Sequence, residues 1–238
     1  MAMDTSPETS GRSDTAPGGS PRAQVVTAAG YDRVERFAKQ RIALRYWLAG
    51  AGYFAALEAF EFAAAYHRGC RKDGRTPEFA HQVAIASHVR TLIPHLAHPE
   101  ETLCAALLHD VREDYDVPDA AIRDRFGPVV ADATDALTKE FMGARREPAA
   151  VFAAIAADPC ASVVKPADRV NNQLTALGVF TPAKLDSYIA ETLQWFFPML
   201  RDARRAHPAQ EAAYENLKLV LEAQVEALSA IVELSGPA

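Results

Sequence analysis

From Gln24 to the C-terminus the apolar residues recur at helical spacing, broken by short Gly- and Pro-bearing stretches, and no run alternates convincingly as a strand does. That period confines the chain to packed helices. The composition agrees: Ala, Leu, Glu and Arg dominate and only 12 of 238 residues are Gly, a mixture that favours helix. The expectation is an all-α fold, one helical bundle over residues 25–238 that ends in two long helices within residues 182–234. Residues 1–24, rich in Ser, Thr, Pro and Gly, cannot bury enough apolar surface to offset their ordering entropy and are expected to form a disordered tail.

Within this frame, a helix or helix pair is predicted over Tyr31 to Arg68, followed by a loop through Gly74 and Pro77. Further helices are predicted over Ala80–Leu92, from Pro99 to Val111 or a little beyond, and from Ala120 to about Lys139 with Gly127-Pro128 as punctuation. A looser piece, Gly143 to Pro148, leads to helices over Ala149–Ala157 and Ala161–Leu177. Pro182–His207 and Pro208–Leu234 complete the chain. In the last of these, Leu217, Val220, Leu221, Val225 and Leu228 form an apolar stripe, expected to pack on the domain's own core; a homodimer seam is the alternative.

The charge balance removes one class of function. A net charge of −6 is wrong for a protein that coats nucleic acid, which needs clustered Lys and Arg to displace counterions. A small polyphosphate ligand remains compatible, because a local basic patch can act within an acidic protein. Cys70, Cys104 and Cys160 include no C-x-x-C pair, so neither a thiolate zinc site nor a disulfide framework is indicated. The most apolar tract, Leu48 to Tyr66, contains Glu58 and Glu61, which argue against a membrane span. The first thirty residues lack the apolar stretch of a secretory signal. A cytoplasmic protein is expected.

The sharpest chemical feature is His109-Asp110 at the end of the apolar run Leu103 to Leu108. An imidazole and a carboxylate held side by side on a buried element suit a borderline divalent ion. Continued helical geometry would put Glu113 one turn from His109 and Asp114 one turn from Asp110. Taken alone, such a doublet is a weak signal and more often marks a solvated helix end with a capping Asp. A second site adds weight: Asp168, Asn172 and Thr175 share one face of a helix flanked by Val163, Val164, Val170 and Leu174. A third polar position is His81 at the start of its helix, with His67 upstream and His88 two turns on. A single His is more often a satisfied imidazole than a ligand.

A His, then a His-Asp pair, then a distant Asp, all on helices, resembles the metal-binding layout of the HD phosphohydrolase superfamily. The segments Ala65-Tyr66-His67-Arg68-Gly69-Cys70-Arg71-Lys72-Asp73-Gly74, Ala105 to Asp114, Leu137-Thr138-Lys139 and Lys165 to Arg169 resemble, in order, the hydrolase domain of Rel/SpoT stringent-response enzymes. The resemblance covers about residues 55–180. It implies a helical HD domain with one divalent ion, Mn²⁺, held by His81, His109, Asp110 and Asp168. It implies catalytic carboxylates at Glu113 and Asp114, nucleotide-holding residues at Arg71 and Lys72, and nucleoside contacts at Asn172 and Thr175. Gln82, Pro166, Glu78-Phe79 and Tyr115 depart from the family pattern, and the Arg71–His81 loop is about one residue longer.

The activity so implied is removal of the 3′-pyrophosphate from (p)ppGpp-type alarmones. The two final helices read without a Gly-rich or basic nucleotide site, so synthesis is not expected. Functional pairing with an alarmone synthetase belongs to the same implication. Two alternatives stay open: an HD phosphohydrolase acting on NADPH 2′-phosphate or a nucleoside monophosphate, and a non-catalytic nucleotide-binding module.

Overall fold

The computed structural model describes residues 33–235; the tail expected over residues 1–24 lies outside them. Among the described residues the chain forms twelve α-helices. They are α1 (Arg33–Ala51), α2 (Phe54–Tyr66), α3 (Ala80–Leu92), α4 (Pro99–Leu108), α5 (Val111–Tyr115), α6 (Asp119–Phe126), α7 (Pro128–Leu137), α8 (Pro148–Ala157), α9 (Ala161–Ala176), α10 (Pro182–Glu191), α11 (Phe197–Ala206) and α12 (Glu211–Leu234). The expected pair over Tyr31 to Arg68 is divided at Gly52, whose φ of +79° suits a residue without Cβ. Pro opens α4, α7, α8 and α10, where its missing N–H leaves no hydrogen bond unmade.

Helix α4 is the axle of the bundle. Every residue from Thr102 to Leu108 is buried, as expected of a helix that is apolar all round. It packs against α2, α3, α7 and α9, and the small side chains of Ala105 and Ala106 let neighbours approach closely. Helix α9 lies beside α3, α4 and α8, and α12 covers its far side. The stripe on α12 is used here: Leu217, Leu221 and Leu228 are buried against the chain's own helices, with Leu228 in a smaller cluster beside Ala176, Leu185 and Ile189.

Three expectations need correction. The helix opened by Pro99 stops at Leu108, and His109-Asp110 form a turn before α5 restarts at Val111. The helix expected over Pro182–His207 is continuous but contains a π turn at Thr192–Phe196. There the Thr192 hydroxyl donates to the Tyr188 carbonyl (2.7 Å) and accepts from the Gln173 amide of α9 (2.9 Å). A minimal antiparallel hairpin, β1 (Glu140–Phe141) and β2 (Ala144–Arg145), appears where no strand was expected. Its two-residue loop, Met142-Gly143, takes positive φ at both positions, 49° and 78°, the turn that matches the twist of paired strands. Met at the first of these positions gave no cue.

Away from the site, Gln210 staples three segments. Its amide donates to the Pro159 carbonyl (2.9 Å) and the Tyr214 hydroxyl (2.8 Å) and accepts from the Ala97 N–H (2.9 Å). The residue is 1% exposed, so its removal leaves the buried Tyr214 hydroxyl with one partner fewer and opens the junction between the other two segments. Gln210→Ala is expected to lower stability by about 2–3 kcal/mol, read as a lower urea midpoint with unchanged slope; a shift within error would deny the staple its role.

Candidate metal centre and its surroundings

The four residues singled out as ligands come from three places in the fold and meet at one point. His81 sits in the first turn of α3, His109 and Asp110 in the turn after α4, and Asp168 in the middle of α9. His81 Nε2 lies 3.1 Å from Asp168 Oδ1 and 3.6 Å from Asp110 Oδ2. His109 Nε2 lies 2.9 Å from Asp110 Oδ2 and 4.0 Å from Asp168 Oδ1. Both imidazoles and Asp168 are buried, at 3–6% exposure.

The outer nitrogens of the two imidazoles are already engaged. His109 Nδ1 lies 3.0 Å from the Ala106 carbonyl; a carbonyl accepts only, so Nδ1 carries the proton and, in the neutral ring, Nε2 presents a lone pair. His81 Nδ1 bonds Asn171 Oδ1 at 2.8 Å, which orients that ring the same way. Two lone pairs therefore face two carboxylates, and Nε2 of His109, although buried, makes no hydrogen bond. A positive centre is what reconciles such a donor set. The separations of 2.9–4.0 Å match ligands on an ion with bonds of about 2.0–2.2 Å, which lie about 3–4 Å apart. His81, His109 and Asp110 bring ligand atoms within 4.8 Å of one another, a set that fits a divalent ion of the imidazole- and carboxylate-binding kind, with Asp168 Oδ1 3.1 Å from His81 Nε2.

Protonated rather than metal-bound, the same imidazoles would balance the carboxylates by charge. Burial acts against ionised Asp110, yet His109 and His81 hold its carboxyl well below the usual range. Burial likewise opposes ionised Asp168, but Lys165, His81 and His109 outweigh it. For His109, burial disfavours the charged ring, whereas Asp110 and Asp168 raise its pKa overall. Lys165, itself buried, donates to Asp168 Oδ2 at 3.0 Å, and Gln82 donates to Asp110 Oδ2 at 3.2 Å.

The candidate substrate residues connect to this centre through Asn172. Its amide donates to Asp168 Oδ1 (2.5 Å) and its carbonyl oxygen accepts from Arg71 Nη2 (3.1 Å). Lys72 Nζ lies 5.4 Å from the centroid of the Phe180 ring, which meets Tyr188 edge-on. The Thr175 hydroxyl donates to the Asn171 carbonyl (2.9 Å). The acid pair diverges. Glu113 Oε2 accepts from the Lys139 N–H (3.0 Å), whereas Asp114 gathers with His67 and Glu78. Burial, then the charges of Asp110, Glu113 and Glu78, push the Asp114 carboxyl up to about 6. His88 is turned elsewhere, 3.4 Å from Asn216.

Sequence reasoning gave Asn171 and Lys165 no role. Their position one helical turn either side of Asp168 was the available signal. Asn171→Ala is expected to weaken divalent-ion binding about 10–100-fold with helicity intact, measured by Mn²⁺ titration; undiminished affinity would show that His81 is oriented by packing alone.

Residues 59–149 match the HD domain family model. A guanosine-3′,5′-bis(diphosphate) 3′-pyrophosphohydrolase of Haemophilus influenzae is 29% identical over 177 residues, which cover 71% of this chain and 25% of that protein. A GTP pyrophosphokinase of Streptomyces antibioticus is 31% identical over 148 residues, covering 60% of this chain and 17% of the relative. The chain thus spans a quarter or less of the length of these relatives. A solved structure, described as a metazoan ortholog of SpoT that hydrolyses ppGpp, superposes with a TM-score of 0.52 at 22% identity, covering 68% of this chain and 93% of the other; that likeness is one of fold. Residues 59–149, which carry the His109-Asp110 turn and the buried helix before it, are thus the part of the chain that is similar to the HD domain family.

Proposed function

We propose that the chain hydrolyses (p)ppGpp-type alarmones at the 3′-pyrophosphate, giving GDP or GTP and pyrophosphate, with Mn²⁺ bound by His81, His109, Asp110 and Asp168. The observation that carries this reading is the meeting of two lone-pair-bearing imidazoles and two carboxylates beside a raised-pKa acid and a guanidinium. The activity for which the Haemophilus influenzae relative is named and the order of motifs support the substrate. The proposed setting is the cytoplasm, and functional pairing with an alarmone synthetase is part of the same reading.

A divalent ion at this site supplies Lewis acidity, stabilising charge on phosphoryl oxygens and acidifying water. The rest falls to the chain's own residues. Water adds at the phosphorus bonded to the ribose 3′ oxygen, the bond from phosphorus to that oxygen breaks, and the 3′ oxygen takes up a proton. Asp114, whose N–H donates to the Asp110 carbonyl one turn back at 2.8 Å, is placed to accept and return a proton beside the metal centre. Glu113, pinned by the Lys139 N–H, borders the same turn and orients the water. Arg71 and Lys72 neutralise the polyphosphate, and a planar guanidinium can also stack on a purine. Asn172 and Thr175 contact the nucleoside.

The test is product analysis with ppGpp, pppGpp, ppApp, NADPH and deoxynucleotides in Mn²⁺. Pyrophosphate release from a ppGpp-type substrate, abolished by chelator, is expected, and Asp114→Asn should lower kcat about 10²–10⁴-fold. Hydrolysis confined to NADPH or the deoxynucleotides would overturn the substrate assignment. Arg71→Ala is expected to raise KM about 10–100-fold, the loss of a charged hydrogen bond, with a much smaller change in kcat; a fall in kcat alone would place Arg71 outside substrate binding.

A further inference from the structure

His67 stands out among the polar residues that the proposed reaction leaves without a task. Its side chain is fully enclosed, and neither ring nitrogen has a hydrogen-bond partner. An imidazole so placed gives up its bonds to water with nothing in return. Glu78 Oε1 lies 3.7 Å from its Nδ1, beyond hydrogen-bonding distance.

Around that imidazole the chain has gathered further ligand-type groups. Glu78 precedes α3, Asp114 is in α5, and one ligand atom from each of His67, Glu78 and Asp114 lies within 4.8 Å of the others. Glu78 is itself held in place: its Oε2 accepts from the Tyr115 hydroxyl (2.9 Å) and the Gly69 N–H (3.2 Å). Anchoring one carboxylate oxygen while leaving the other toward an imidazole is how outer contacts orient a metal ligand. Tyr115 also closes over the His67 ring edge-on, at 5.0 Å. Burial lowers the pKa of His67, the first and largest influence on it, which keeps the ring neutral, the form that binds a metal. Asp114 is exposed, so the group opens to solvent on that side.

We propose that His67, Glu78 and Asp114 form a second divalent-cation site next to the His81–His109–Asp110–Asp168 centre. The two groups adjoin, since His67 lies within the electrostatic reach of both Asp110 and His109. The donor set of one imidazole and two carboxylates suits Mn²⁺, Fe²⁺ or Zn²⁺. The unpartnered buried imidazole distinguishes it from an ordinary acidic patch. Occupancy of the site stands on these three residues alone. Its use, as a positive partner for the leaving pyrophosphate in a paired-ion arrangement, rests on the function proposed above. A bound cation favours the ionised form of Asp114, so with the site filled its carboxylate takes up the proton of the attacking water rather than holding one beforehand.

The experiment counts ions rather than turnover, so it is independent of the substrate assignment. The full chain is stripped with chelator, equilibrated with Mn²⁺ and assayed for bound metal, alongside His67→Ala and Glu78→Gln. Two ions per chain are expected in the parent and one in each variant, with unchanged helical circular dichroism. Asp168→Ala should remove the other ion and spare this one. A single ion in the saturated parent, or two in a folded His67→Ala or Glu78→Gln protein, overturns the proposal. Should both variants fail to fold, anomalous diffraction from Mn²⁺-soaked parent crystals decides: a peak between the three side chains supports the site, and its absence overturns it.

Discussion

Two carboxylates, Asp110 and Asp168, are held in the interior of a helical bundle, and the arrangement around them is the means of keeping them ionised there. An isolated charge in such a place is costly. Here the cost is met by two imidazoles, by Lys165, and by amide donors from Gln82 and Asn172. Each of these partners comes from α3, α9 or the turn after α4, so the helices that cross at the centre are also the ones that neutralise it. The all-buried face of α4 exists to bring its C-terminal turn to that crossing.

Asn172 gives the centre its reach. One amide side chain touches Asp168 with its nitrogen and Arg71 with its oxygen, spanning 101 residues of sequence in the second contact. The guanidinium proposed to hold nucleotide is therefore positioned from the same helix that carries a candidate ligand. On the opposite flank Glu113 and Asp114 part company, one fixed by Lys139 and the other facing His67 and Glu78. Neighbours in sequence thus serve different neighbourhoods in space.

Much of this was legible in the sequence. The period of Ala80–Leu92 and the polar stripe Asp168-Asn172-Thr175 gave correct helices, and the apolar run before His109 pointed to the doublet. What escaped was tertiary or stereochemical. Nothing local says that Asn171 rather than Asn172 reaches His81, because that depends on where α3 crosses α9. The break at His109-Asp110 is equally hidden, since both residues keep right-handed helical torsions while the hydrogen-bonding pattern changes. The hairpin at Glu140–Arg145 depends on a Met with positive φ, which carries no turn signature. The π turn at Thr192 answers to Gln173 of α9 across the bundle. Glu78 and Tyr115, noted as unusual residues on separate segments, proved to bond each other.

The position of α9 has a practical corollary. The stretch that matches the HD domain model ends at residue 149, but Lys165, Asp168, Asn171 and Asn172 all lie beyond it, and α12 backs the helix that bears them, with Gln224 donating to the Val170 carbonyl at 3.1 Å. A fragment excised at the limits of that match would keep three of the four converging side chains and lose the fourth together with its scaffold. The smallest autonomous piece of this chain is thus set by what props up α9 from behind, and extends well into the last helix.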